Sequence, residues 1–199
     1  MILLETIKYL NGKFINLDLH QSRINLSGKN FYGNGFEANL KTCLSNSNPP
    51  EKKGIFKCRV IYDNSKLNIE YHAYVLPRIS SFKIVHDNSI NYAHKYANRD
   101  SINNLLKRKE NCDDIIIVKN GLLTDSSYAN IVLFDGKNWV TPSTPLLNGT
   151  KRELLLSNKT ISERNINITD LPKYSKIRLI NAMIDFEDAV EVGIEKVKL

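Results

Sequence analysis

No stretch of this 199-residue chain is apolar over the roughly 20 residues that a bilayer-crossing helix needs, which excludes a membrane span. The opening MILLETIKYLNGK lacks a basic segment followed by an apolar one, so no secretory leader is expected, and its alternation reads as a strand. Cysteine is scarce: Cys43, Cys58 and Cys112 are odd in number and without CxxC spacing. That excludes a disulfide framework or a structural zinc site and predicts small buried hydrophobes in a reducing, cytoplasmic setting. The basic clusters Lys52–Lys53, Lys107–Arg108–Lys109 and Lys196/Lys198 lack interleaved aromatics, so no base-stacking surface for nucleic acid is expected. The net charge of +7 then points to small anionic ligands.

What is present is enough for a core, with 42% apolar residues, and it is punctuated by turns. Asn11-Gly12, Asn120-Gly121 and Asp135-Gly136 each lie between β-rich runs, the strongest short-range hairpin signal. The first joins Leu3–Leu10 to Lys13–Leu17. Residues 18–31 have near-helical spacing at Leu19, Arg23, Ile24 and Leu26, and predict a helix capped by Asp18. A second helix is expected over Phe36–Leu44, ended by the loop SNSNPP. Ile55–Tyr62 and Leu67–Leu76 predict strands, with Lys57 and Arg59 sharing one face. Pro77–Ser81 is the candidate linker between a lobe of residues 1–78 and a larger lobe of residues 79–199. The second lobe reads as strands at 82–87, 115–118, 129–134, 138–141, 159–165, 176–181 and 189–193, with helices at 100–110 and 150–157. Strands dominate and come as hairpins, so the class is α+β with antiparallel or mixed sheets.

Several residues carry possible chemistry. Lys95, in HKYANRD, lies in a loop between a strand and a helix, where a lysine of lowered pKa could form an imine with an aldehyde. Taken alone, it is one lysine among 20 and reads as a solvated side chain. Asp125 follows the second hairpin, where a carboxylate could hold a pyridine nitrogen protonated; an Asx turn or helix cap fits the TDSS context equally well. Asn148-Gly149-Thr150 opens a helix whose first amides could bind phosphate, although an ordinary helix start explains it as simply. Arg23 could complete that phosphate site with a charge-assisted bond, or be a solvated helix charge. A lysine, a ring carboxylate and an anion turn are what pyridoxal 5′-phosphate requires of a protein.

With these residues in view, the chain resembles the class IV aminotransferase family, the fold-type IV pyridoxal phosphate enzymes. LLETI at 3–7 is similar to the family's opening strand, and HQSRI at 20–24 to its His-Leu-x-Arg-Leu helix. DDIIIVKNGLLTDSSYANIVLFDG and TPSTPLLNGTKREL resemble its central block, and INAMIDFEDAVEV its last strand. The resemblance implies the two-lobed, D-amino-acid aminotransferase-like fold with pyridoxal 5′-phosphate as cofactor and a homodimer as the assembly. It puts Lys95 on the cofactor lysine, Asp125 on the ring-nitrogen carboxylate and Arg23 on the phosphate arginine. Thr150 and Lys151 fall on the phosphate turn, through their backbone amides. Arg99 neighbours the phenolic oxygen, and Arg59 with Arg99 matches positions that hold a carboxylate substrate.

KYANR at 95–99 and the Asn181-Ala182 pair are similar to the aminodeoxychorismate lyase branch. The implied reaction is the release of 4-aminobenzoate and pyruvate from 4-amino-4-deoxychorismate. An aminotransferase of an amino acid and a 2-oxo acid is the second reading, and a non-catalytic cofactor-binding homologue the third. The chain departs from the family pattern at three places. Asp125 stands where Glu is usual, Asp63-Asn64-Ser65-Lys66 replaces a glycine-rich loop, and the glycine-rich strand usual ahead of LLETI is not in this sequence.

Overall fold

A computed structural model describes residues 1–33, 36–51 and 53–199; Lys52, of the first basic cluster, lies outside them. The chain divides into two compact units, Met1–Leu76 with His94–Asn98, and Pro77–Ala93 with Arg99–Leu199.

The first unit is built on the antiparallel sheet β2-β1-β3-β4, made of β1 Leu3–Leu10, β2 Lys13–Phe14, β3 Ile55–Tyr62 and β4 Leu67–Ala73. Asn11 and Gly12 both have positive φ, 47° and 89°, as a two-residue hairpin of matching twist requires. Strand period then sorts the side chains. Leu3, Glu5 and Ile7 of β1 stand opposite Tyr62, Val60 and Cys58 of β3, and this face carries the core with Ile24, Leu40 and Leu44. The other face is polar: Thr6 pairs with Arg59 and Lys8 with Lys57, and β4 continues these rows with Glu70 and His72. Lys57 and Arg59 therefore share a face, as the alternation predicts.

The helices α1, Leu17–Tyr32, and α2, Leu40–Ser45, supply Ile24, Leu40 and Leu44 to that core. The cap of α1 differs from expectation. Asn16 is the N-cap, in a left-handed conformation at φ 54°, and Asp18 sits inside the first turn. There its carboxylate meets the positive end of the helix dipole. The second helix begins at Leu40, where the Asn39 side chain accepts from Thr42 N.

The second unit contains a mixed sheet. Its strands are β5 Phe82–His86, β6 Asp114–Lys119, β7 Leu122–Ser126, β8 Asn130–Phe134, β9 Trp139–Pro142, β10 Ser162–Arg164, β11 Lys176–Ile180, β12 Val192–Gly193 and β13 Val197–Lys198. The main path runs β10-β9-β8-β7-β6-β5-β13, with β11 on β8 and β12 on β11. The pairs β5–β6, β5–β13 and β9–β10 are parallel and the others antiparallel, in agreement with the α+β class and mixed sheets expected. The helices are α3, Asp100–Leu106, and α4, Thr150–Ser157. Ile116, Val118, Leu123, Ile131, Leu133 and Ile177 lie in the core, each worth about 1.5–3 kcal/mol of burial.

The expected last strand at 189–193 shrinks to Val192–Gly193, because turns occupy most of residues 181–191. Lys95, assigned by sequence to residues 79–199, belongs with the first unit. Its segment docks on β1 through the Leu3–Tyr96 bridge, with Leu4 N donating to Lys95 O at 2.9 Å and Ala97 N to Ile2 O at 3.0 Å.

Candidate functional site

In the first unit, Lys95 is half-buried in the short segment laid along β1. Its neighbour His94 packs edge-on against Phe31 with ring centroids 4.7 Å apart, and His94 Nδ1 lies 3.2 Å from Ser27 Oγ. One turn back on α1, Arg23 faces β1. Arg23 Nε donates to Glu5 Oε1 at 2.8 Å and Nη2 to Glu5 Oε2 at 2.5 Å. His20 Nδ1 is 2.6 Å from the same Oε2; an ionised carboxylate only accepts, so Nδ1 donates.

Glu5 is 1% exposed. Burial pushes its carboxyl pKa up, yet the Arg23 guanidinium and the His20 contact outweigh this and bring it down to about 2. Arg23 is thus the part-buried partner of a buried carboxylate, and the solvated-helix reading fails. Two of the five guanidinium N–H bonds go to Glu5. Arg59, on the polar face, donates from Nη1 to Glu70 Oε2 at 2.8 Å.

In the second unit, Asp125 lies on β7, 6% exposed and opposite Asn130, the first residue of β8. Asn130 Nδ2 donates to Asp125 Oδ1 at 2.7 Å, and Leu147 N donates to Oδ2 at 2.9 Å. Burial is the largest influence on this carboxyl and pushes its pKa up to about 6, against the lowering effect of the Leu147, Asn130 and Leu146 donors and of the Arg152 charge. The Asx-turn and cap readings of Asp125 therefore fail, since it braces a distant loop.

That loop leads into α4, whose N-cap is Gly149, with no side chain capping the helix start. A Cβ at position 149 would come within 2.1 Å of Asn130 Oδ1, so glycine is what lets the turn approach β8. Thr150 and Lys151, the first residues of α4, are buried. The Lys151 ammonium is bound to Asp185 Oδ1 at 2.8 Å, which leaves any anion at this turn to the backbone amides. Arg99 donates from Nη2 to Ser127 O at 2.6 Å, two residues beyond Asp125. Asn181 ends β11, and its Oδ1 accepts from Met183 N at 2.9 Å.

The structure brings Asp125, Thr150 and Lys151 onto one support in the second unit, and Lys95 and Arg23 onto one strand-helix support in the first. Sequence reading missed Glu5, His20, Asn130 and Arg152. Glu5 was legible as an acid in an otherwise apolar alternation, and Asn130 as the first residue of the strand after the DSSY turn. Arg152 is 4% exposed, with Nη2 donating to Pro142 O at 2.9 Å and to Glu163 Oε1 at 2.5 Å.

These residues fit pyridoxal 5′-phosphate on the chemistry of the donor set. A buried carboxylate suits a pyridinium nitrogen, and an uncapped helix start behind a required glycine suits a phosphate. Among the described residues no group of His, Cys, Asp and Glu could hold a metal ion, and no helix is long and apolar enough to cross a membrane.

Comparison with known proteins agrees. Residues 3–186 match the amino-transferase class IV family. A Haemophilus influenzae Rd protein with no assigned activity is 38% identical over 183 residues, 91% of this chain and 97% of its own. A Haemophilus somnus 129PT protein, provisionally named a 4-amino-4-deoxychorismate lyase, superposes with a TM-score of 0.82 at 35% identity, over 92% of this chain and 96% of its own. A Mycobacterium tuberculosis protein, described as a hypothetical aminotransferase and solved with pyridoxal phosphate bound, shares the fold. Its TM-score is 0.74 at 16% identity, over 96% of this chain and 80% of its own.

Proposed function

Because the chain belongs to the class IV aminotransferase family, we propose that it is a pyridoxal 5′-phosphate-dependent lyase that releases 4-aminobenzoate and pyruvate from 4-amino-4-deoxychorismate. The observation that carries the cofactor assignment is Asp125, a buried carboxylate whose two oxygens are each aimed by a donor. The KYANR segment and the likeness to the H. somnus protein support the lyase branch.

When bound, the cofactor supplies an electron sink for the pair released as a substrate carbon loses its proton. The protein residues do the rest. Lys95 Nζ would be the amine that holds the cofactor's aldehyde, and as a free amine it would take the substrate's ring proton and return one to the departing three-carbon fragment. Asp125 keeps the ring nitrogen protonated. The backbone amides of Thr150 and Lys151 would hold the phosphate, and Arg23 is the guanidinium that would answer its charge. Arg99 would serve the cofactor's phenolic oxygen, and Arg59 and Arg99 would each offer a guanidinium fork to a substrate carboxylate, a geometry that suits them. Asn181 belongs to the same cofactor set. The working assembly is a homodimer.

The test is to supply purified, cofactor-loaded protein with 4-amino-4-deoxychorismate and follow both products. Pyruvate with stoichiometric 4-aminobenzoate supports the lyase. The family assignment itself favours a second reading, an aminotransferase. Amino-group exchange with 2-oxoglutarate, without pyruvate release, would replace the first reading by that one.

A further inference from the structure

Asn130 does more than begin a strand. Its Nδ2 makes two hydrogen bonds, to Asp125 Oδ1 at 2.7 Å and to Leu147 O at 2.9 Å. Leu147 answers with its own N–H, which donates to Asp125 Oδ2 at 2.9 Å. The three residues close a ring of hydrogen bonds across β7, β8 and the loop that enters α4. The other end of the carboxamide, Oδ1, faces Gly149, and no Cβ fits between them. Asn130 is itself only 6% exposed, so this geometry is held in a solvent-poor environment.

We propose that Asn130 is a positioning residue that fixes the Asp125 carboxylate and the Leu147–Thr150 turn in one frame. The inference rests on the assignment of Asp125 to the ring nitrogen. The physical need for such a residue comes from Asp125 being Asp. With one methylene fewer than Glu, its carboxylate has a shorter reach and fewer torsions with which to find a ligand. Its direction must then be set by the donors around it. Asn130 Nδ2 occupies Oδ1 and Leu147 N occupies Oδ2, the Leu146 amide adds a third bond, and the acceptor capacity that remains of about four lone pairs can point elsewhere. Because the same carboxamide holds Leu147 O, any shift of the turn moves the carboxylate with it. The charged neighbour acting on Asp125 is Arg152, which lies outside this ring and is not altered by changes at Asn130.

The experiment uses the full chain with Asn130→Ala, Asp125→Asn, the double variant, and Gly149→Ala. In cofactor-free protein, the Asp125 carboxyl is titrated by carbon NMR. In parallel, pyridoxal 5′-phosphate affinity is measured by equilibrium dialysis. Asn130→Ala removes a donor to the charged form, so the Asp125 midpoint moves up from about 6. Cofactor affinity falls about tenfold or more, the range for a hydrogen bond to a charged group. Asp125→Asn weakens binding as well, and the double variant binds little worse than the weaker single, because the two act as one unit. Gly149→Ala drives a methyl into Asn130 Oδ1 on an extended backbone that alanine adopts freely, and raises the Asp125 midpoint while leaving both side chains chemically intact.

An unchanged midpoint and affinity in Asn130→Ala, with Asp125→Asn impaired, would overturn the positioning role and leave the Asp125 assignment standing. Undiminished affinity in Asp125→Asn would remove the assignment itself, and the inference with it. If Asn130→Ala fails to fold, Gly149→Ala decides alone: an unshifted midpoint sinks the proposal and an upward shift supports it.

Discussion

Glu5→Gln should destabilise the protein at pH 7 by about 3 kcal/mol, and roughly half of that penalty should vanish by pH 3. The magnitude follows from two independent routes. Removing one partner of a buried ion pair costs about 3–5 kcal/mol, because it strands the other charge. Glu5 is 1% exposed, so little of this is screened by solvent. The linkage route starts from its carboxyl, lowered from an ordinary 4.5 to about 2 by Arg23 and His20 against the opposing effect of burial. At about 1.4 kcal/mol per pH unit that gap is again about 3 kcal/mol. A depressed carboxyl contributes its stability above the unfolded pKa and loses it as pH falls through the folded one. The window is therefore pH 4.5 down to about 2. Urea unfolding of wild type and Glu5→Gln, followed by circular dichroism at pH 7 and pH 3, measures both numbers. A difference below about 1 kcal/mol at pH 7, or one that stays constant between the two pH values, would refute the assignment of Glu5 as an ionised, buried anchor.

The remaining predictions concern the proposed chemistry. Lys95→Ala should fold normally, since the substitution keeps the backbone pairing of residue 95 with β1, but should retain no cofactor after borohydride treatment and denaturation; retention would identify another lysine. Asp125, raised from 3.8 to about 6 mainly by burial, costs the fold stability in its charged form. For a raised carboxyl the native state binds the extra proton, so wild type should lose up to about 3 kcal/mol relative to Asp125→Asn as pH rises from 3.8 to 6. Parallel urea midpoints across that range would contradict it. Arg59→Ala frees Glu70 on a partly exposed face and should raise the substrate KM while leaving cofactor affinity unchanged; the opposite pattern would move Arg59 to the cofactor.

The hairpins were legible because Asn11-Gly12 and Asn120-Gly121 need two consecutive residues of positive φ, and few other dipeptides allow it. The fold class followed from that rhythm. The shortness of the last strand was not legible, because INAMIDFEDAVEV has strand composition, while Asn181 Oδ1 bonds Met183 N and turns the chain away. Arg23 and Asp125 were visible as candidates, but their bland readings could be rejected only by geometry: a carboxylate clamped by Asn130 and Leu147, and a guanidinium locked on Glu5. The partners themselves were hidden because each lies on a separate element, and spacing along the chain carries no record of such a pairing. Lys95 illustrates the same limit. Its sequence neighbours named it, while its attachment to β1 is a backbone pairing that no side-chain pattern encodes.

That attachment joins two assignments that the sequence treated separately. Leu4 donates to the Lys95 carbonyl, and the next residue, Glu5, carries the carboxylate that holds Arg23. Helix α1 returns the connection through Ser27, one turn beyond Arg23, which reaches His94 beside Lys95. The backbone of the proposed covalent lysine and the guanidinium proposed for the phosphate are thus fixed to the same strand and helix, inside one compact unit. In the second unit, Asn130 does the same for the ring carboxylate and the phosphate turn. Each pair of functional groups therefore has its internal spacing set by short hydrogen bonds that tie a loop segment to regular elements. This is the arrangement that precise placement of a small, rigid ring demands.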